Sequence, residues 1–392
     1  MLLNASLKPL PASPTETTAV WTGMIGLAVA MGIGRFAFTP LLPVMQQDAG
    51  LTLAQGSWLA TANYAGYLGG AAICMVAPLR PARAIQWGLL STAVFTLGMG
   101  LTGNFVLWFC LRFLAGAASA FVLVGVSAWV MPILARRRVP GWSGRVFSGV
   151  GIGICFSGLI SLAAGAAALG SPATWLLFGS IAALLTFVPW RRLAMDAGWA
   201  VSGGEPERGR LSGHAWLCVL CYGAFGYGYI IPATYLPALA REAIANPAIF
   251  GWVWPVFGAA AAISTVFVAR CLPGLSPRRL WIAGQLVLAI GVIVPVCAAD
   301  LFALMIAAMC VGGTFVVITM AGIQEARRLG GAHGQRLIAM KTTAFALGQI
   351  AGPLTVSLFH ERGLMIPSLV SAAGLVASSA ALAISARSSS DK

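Results

Sequence analysis

Residues 105–131 read FVLWFCLRFLAGAASAFVLVGVSAWVM, a run whose only charge is Arg112. Coiled as a helix, a run of that length is about 40 Å long, enough to cross the roughly 30 Å hydrocarbon layer of a bilayer. A helix also satisfies its own backbone polar groups there, which an open strand does not. Similar runs lie near 20–44, 57–79, 84–103, 146–168 and 174–190. A second set lies near 214–236, 248–270, 280–298, 301–323, 338–359 and 366–386. Twelve apolar helices predict an all-α integral membrane protein.

Composition points the same way. Of the 392 residues 59% are hydrophobic and only 9% charged, and the mean hydropathy is +0.88. A soluble domain carries roughly 25% charged residues to face water. The net charge of +14 is distributed in short connections, not on one face interleaved with aromatics, so nucleic-acid binding is not expected. Cys74, Cys110, Cys155 and Cys310 fall inside apolar runs, and the Cys218/Cys221 pair lies in a helix without a histidine or second pair. All read as small apolar fillers, and neither a metal nor another cofactor is expected.

The chain divides into a tail at 1–18, six spans over 19–190, a polar loop at 191–213, six spans over 214–386, and a tail at 387–392. The first tail reads as cytoplasmic, without a cleavable signal peptide. Placing the N-terminus inside puts 20 Lys and Arg residues on inner segments and 2, Arg241 and Arg362, on outer loops. The positive-inside rule then predicts that both termini are cytoplasmic.

The two sets of spans repeat. A shift of 194 residues lays Gly32-Ile33-Gly34 on Gly226-Tyr227-Gly228 and Leu42-Pro43 on Leu236-Pro237. It also pairs Trp58 with Trp252, Trp87 with Trp281, Phe121-Val122 with Phe315-Val316, and Asp48 with Glu242. Two bundles of like orientation form a parallel repeat.

Six plus six spans with a basic central loop resemble the major facilitator superfamily. Arg112-Phe113-Leu114-Ala115-Gly116 resembles its fourth-span motif. Gly348-Gln349-Ile350-Ala351-Gly352-Pro353 resembles the GxxxGP motif that many members, notably antiporters, carry in the fifth span. Here the motif falls in span eleven, the repeat-equivalent of span five. Residues 34–43 (GRFAFTPLLP) and 58–67 (WLATANYAGY) resemble the YbfB/YjiJ-type branch of bacterial permeases. The resemblance implies two six-helix bundles rocking about a midplane site, with spans one, four, seven and ten lining the cavity, and a monomer. The loop between spans two and three keeps Arg80 and Arg83 as gating candidates but lacks the superfamily's acidic partner and glycine.

Ionisable groups inside spans carry the functional expectation. Arg35 and Arg112 lie in the outer halves of spans one and four at similar depth. Facing a cavity they would bind an anionic or carboxylate-bearing substrate. Bonded to carbonyls at a helix break, they would be structural. Asn63 and Tyr67 share one face of span two with Gly70, and Tyr222 and Tyr229 share one face of span seven with Gly226; a substrate cleft and an interfacial belt both suit them. Gly149, Gly153, Gly348, Gly352 and Pro353 read as close-contact and pivot positions.

No Asp or Glu falls within the hydrocarbon depth of any predicted span. Glu325, at the inner end of span ten, is the best candidate for a proton-carrying carboxylate; it reads as an ion-pair partner for Lys341 that helps close the cytoplasmic mouth, or as an ordinary surface pair. The remaining acids and His214, His333 and His360 fall near span ends or in loops. No phosphate-binding Gly-rich loop, nucleophile–base pair or metal cluster is present, so neither ATP hydrolysis nor an enzyme is expected. The sequence predicts a secondary transporter of a small organic solute, with proton-coupled efflux as the leading form. The alternatives are an uncoupled or uptake permease, or a receptor or scaffold on the same fold.

Overall fold

The computed structural model describes residues 15–77, 79–195, 212–244, 247–298, 300–330, 334–359 and 364–387. Twelve long helices run through these segments and no strand occurs among the described residues. They are α1 (Glu16–Asp48), α2 (Leu53–Val76), α3 (Pro81–Leu101), α4 (Phe105–Arg136), α5 (Ser143–Ala166) and α6 (Ser171–Met195). Then follow α7 (Gly213–Ala243), α8 (Val253–Cys271), α9 (Pro277–Cys297), α10 (Leu301–Gly330), α11 (Gly334–Leu358) and α12 (Met365–Arg387). Ten are long and apolar enough to cross a membrane. The other two, α2 and α11, carry Gln55, Asn63, Lys341 and Gln349, and they pack on each other.

Local chemistry sets the helix starts. Thr52 and Gln55 form a reciprocal capping box on α2, and Asn104, Ser212 and Ser276 cap α4, α7 and α9 through their side-chain oxygens. Pro81 and Pro277 open α3 and α9, where the missing N–H has no intrahelical partner to lose.

Within the first half α1 packs on α4, α5 and α6, α2 on α4, and α3 on α4 and α6. Each of these pairings recurs one half later, as α7 on α10, α11 and α12, α8 on α10, and α9 on α10 and α12. Between the halves the main contacts are α5 with α8 and α2 with α11. The repeat does not preserve every environment: Trp87 is exposed while its counterpart Trp281 is fully buried.

Glycines permit the closest crossings. A Cβ on Gly66 or Gly116 would collide with backbone across the α2–α4 contact, and one on Gly149 or Gly153 with α1. Gly348 meets the α7 backbone, and Gly352 the Ile230 side chain. The seam to α8 uses different residues, Gly144, Gly151 and Gly158, spaced seven apart on α5. That stripe is absent from the sequence reading, which took Gly149 and Gly153 as the pivot.

Three expectations change. α4 and α10 run past their predicted ends at 131 and 323, so Glu325, Arg327 and Arg328 are helical. Glu325 is fully buried and does not pair with Lys341. It is no surface ion pair. The predicted tails at 1–14 and 388–392, the loop residues 196–211 with Asp196, Glu205 and Glu207, and His333, His360, Glu361 and Arg362 lie outside the described residues.

Candidate functional site

The centre is built around an interruption in α1. Residues Ala28–Ile33 form a π-helical segment, and Gly34 N–H and Phe36 N–H reach carbonyls five residues back, at Val29 (2.9 Å) and Met31 (3.0 Å). Thr39 N–H, the α-helical partner of the Arg35 carbonyl, turns to Phe36 O instead (3.3 Å). Pro40 and Pro43 remove two further donors just beyond. Such a widened turn needs an outside donor for its released carbonyls.

Arg112 supplies it. From α4 its Nη1 donates to Gly34 O (3.1 Å) and its Nη2 to Arg35 O (3.2 Å), with the guanidinium over the Phe38 ring at 4.7 Å. Asn63 Nδ2 in turn donates to the Arg112 carbonyl (2.9 Å). Of the two alternatives open for Arg112, the structure displays bonding at a helix break. Asn63 is likewise turned to α4.

Arg35 differs. Its side chain is 2% exposed and crosses the seam, where Nη2 donates to Gln349 Oε1 of α11. The guanidinium carbon lies 4.2 Å from the Tyr67 ring centre and 5.4 Å from that of Tyr64. Among the described residues Nε and Nη1 have no partner in hydrogen-bond geometry, nor has Gln349 Nε2, although the Tyr67 and Tyr229 hydroxyls stand near the two side chains. A buried cation with two unpartnered nitrogens, and no carboxylate against it among the described residues, is costly unless an anion joins it.

Aromatic rings enclose this cation. Phe36 lies against Trp254 (6.3 Å between centroids) and Phe315 (6.1 Å) of the second half. Tyr229 is stacked between Phe315 (5.2 Å) and Phe345 (5.6 Å). Tyr229 is also the repeat-counterpart of Arg35 under the 194-residue shift, so one position in each half faces the same centre. Tyr222 sits apart, against Trp281 and Phe345.

A second polar cluster lies inside the C-terminal half. Glu325 accepts from Arg278 Nε (3.0 Å) and from Arg328 Nε and Nη2 (3.0 Å each). Lys341 Nζ donates to Gly322 O (2.7 Å) and sits over the Trp281 ring (4.1 Å) and the Tyr222 ring (4.8 Å). Arg80 and Arg83 stand exposed at the start of α3, with no ion pair among the described residues.

Bonds between the halves close the centre at both ends. At one end Arg327 Nη2 donates to Ser127 O (2.7 Å) and Gln324 Nε2 to Ser143 Oγ (3.2 Å). At the other Arg241 Nη1 donates to Pro43 O (3.3 Å), and the Tyr64 hydroxyl bonds Thr234 Oγ1 (3.0 Å).

The sequence singled out Arg35, Tyr67 and Tyr229 and missed Phe36, Tyr64, Trp254, Phe315, Gln349 and Arg278. Gln349 carried a usable signal, a polar side chain inside the GxxxGP run. The aromatics carried none, since apolar residues in a span also face lipid. Among the described residues no cluster of His, Cys, Asp or Glu could hold a metal, and all eight cysteines are free.

Long apolar helices in two matching sets, closed around a polar centre, define a multi-pass membrane protein of the transporter class. The chain belongs to the major facilitator-type family described as "Uncharacterised MFS-type transporter YbfB", whose model matches residues 27–383. No curated protein matches it.

Proposed function

We propose that the protein is a secondary active transporter that carries a small organic anion by alternating access, with Arg35 as the anion-binding group. In this reading all twelve long helices span the membrane, as two six-helix bundles related by a parallel repeat. The excess of Arg and Lys at the ends that hold the starts of α1, α3, α5, α7, α9 and α11 supports cytoplasmic termini, and the resemblance to bacterial permeases favours a bacterial inner membrane. One observation carries the proposal: Arg35 lies buried where the halves meet, sealed from both ends, with two nitrogens unpartnered.

Tyr67, Tyr229 and Gln349 would share the site with Arg35. Arg112 and Asn63 would position it by holding the α1 break. Gly348, Gly352 and Pro353 would let α11 shift on α7, while Arg80, Arg83, Glu325 and Lys341 would act in gating or coupling from outside the binding centre. Tyr222 belongs with Lys341 rather than with substrate. Proton-coupled efflux is favoured by the GxxxGP resemblance and by the fully buried carboxylate of Glu325. The second reading, uncoupled permeation, is favoured by that carboxylate's engagement with two arginines. Vesicle pH changes that accompany flux separate the two.

Thermal unfolding of the detergent-purified protein against a panel of anions, cations and neutral solutes tests the site. A ligand at 100 times its dissociation constant stabilises the folded state by about 2.7 kcal/mol. Anions alone are expected to raise the midpoint, and Arg35→Gln to abolish the rise. Stabilisation by cations or neutral solutes, or by anions equally in Arg35→Gln, contradicts it.

A further inference from the structure

We infer that the anion is an aromatic carboxylate, an assignment that rests on the Arg35 reading above and narrows it. The first argument is hydrogen-bond complementarity. Among the described residues, the unpartnered buried nitrogens around the centre are Nε and Nη1 of Arg35, Nε of Arg112, Nε2 of Gln349 and, on the neighbouring wall, Nε1 of Trp254. All are donors. The orphaned carboxamide oxygen of Asn63 belongs to a side chain turned to α4. A ligand that satisfies the centre therefore brings acceptors, and a carboxylate brings two to a guanidinium.

The second argument is the wall. Phe36, Tyr64 and Tyr67 come from the first half, and Tyr229, Trp254 and Phe315 from the second. Phe36 touches Trp254 and Phe315 across the seam. When the halves part these ring contacts break, and each half exposes ring faces to the opened space. An aliphatic solute fills that space without replacing the lost contacts, whereas an aromatic ring restores them on both sides. The Tyr67 ring already covers the guanidinium at 4.2 Å, so a carboxylate on Arg35 would place its ring among Phe36, Trp254 and Phe315. The class is thus a planar ring carrying one carboxylate, small enough to sit between the halves.

Equilibrium binding of radiolabelled benzoate to the detergent-purified full chain tests this, with cyclohexanecarboxylate and benzamide as competitors. Benzoate is expected to bind roughly two- to tenfold tighter than cyclohexanecarboxylate, the fold-change a ring-on-ring contact contributes. Benzamide, which lacks the charge, is expected to compete about tenfold or more weakly. Arg35→Gln should remove binding of both carboxylates. If that variant fails to fold, Arg35→Lys keeps the charge, loses the fork and should weaken both. Phe315→Leu should close the gap between benzoate and cyclohexanecarboxylate while both still bind. Equal binding of the two carboxylates, each lost in Arg35→Gln, overturns the aromatic class and leaves the anion site standing. Benzoate binding that survives both Arg35 substitutions, or no binding of any carboxylate, overturns the site itself.

Discussion

Arg35 and Arg112 are both buried guanidiniums on adjacent helices, yet their surroundings assign them opposite tasks. Arg112 engages two backbone carbonyls that the interruption in α1 releases. Arg112→Gln should therefore act on stability: two buried acceptors lose a charged donor, at a cost of about 1.5–3 kcal/mol for each bond. The unfolding midpoint should fall without ligand, which Arg35→Gln should not reproduce. Glu325 gives a further test, because it holds two arginines and is the only carboxylate that pairs with either among the described residues. Glu325→Gln strands Arg278 as a buried charge, a loss of about 3–5 kcal/mol. Arg278→Gln leaves Glu325 paired with Arg328 and should cost less, so the order of the two midpoints checks the network. At this scale the sequence disclosed that Arg35 and Arg112 were unusual but not which one the α1 backbone engages. Spacing locates a residue along a helix, whereas its partner depends on the carbonyl geometry of a neighbour.

The helices show where legibility was greatest. Twelve long helices, ten of them apolar enough to cross a membrane, could be read because hydrophobic length is a property of contiguous residues. The helix ends were less legible: the charged final turns of α4 and α10 resemble loops in composition, so Glu325 was placed at a surface. The α5–α8 seam was invisible for another reason. Glycines at 144, 151 and 158 are scattered among others, and only the partner helix shows which face matters. Gly151 lies against the Ala262 and Gly258 backbone, where an added side chain cannot be accommodated by a rotamer change. Gly151→Leu should separate α5 from α8, destabilise the fold by roughly 1–3 kcal/mol through overpacking and so lower the unfolding midpoint, and abolish flux. Gly165→Leu, on the same helix where nothing lies within 4 Å, should leave both unchanged. Equal behaviour of the two variants in a flux assay would remove the seam from the account.

For the whole molecule, the two ends of the centre are closed by different bonds between the same halves. Alternating access requires each closure to open while the other holds. Cysteines at Ser143 and Gln324, or at Pro43 and Arg241, introduced after replacing the eight native cysteines, allow either end to be bridged with a short bifunctional thiol reagent. Each bridge is expected to stop flux reversibly. The most direct test combines these bridges with Arg35→Cys and a membrane-impermeant anionic thiol reagent applied from either side. The account predicts labelling of position 35 from both sides when unbridged. It predicts labelling only from the Arg241 side when the Gln324 end is bridged, and only from the Gln324 side when the Arg241 end is bridged. Labelling that ignores the bridges, or a position 35 that is never reached, would contradict the placement of Arg35 at an alternately exposed site.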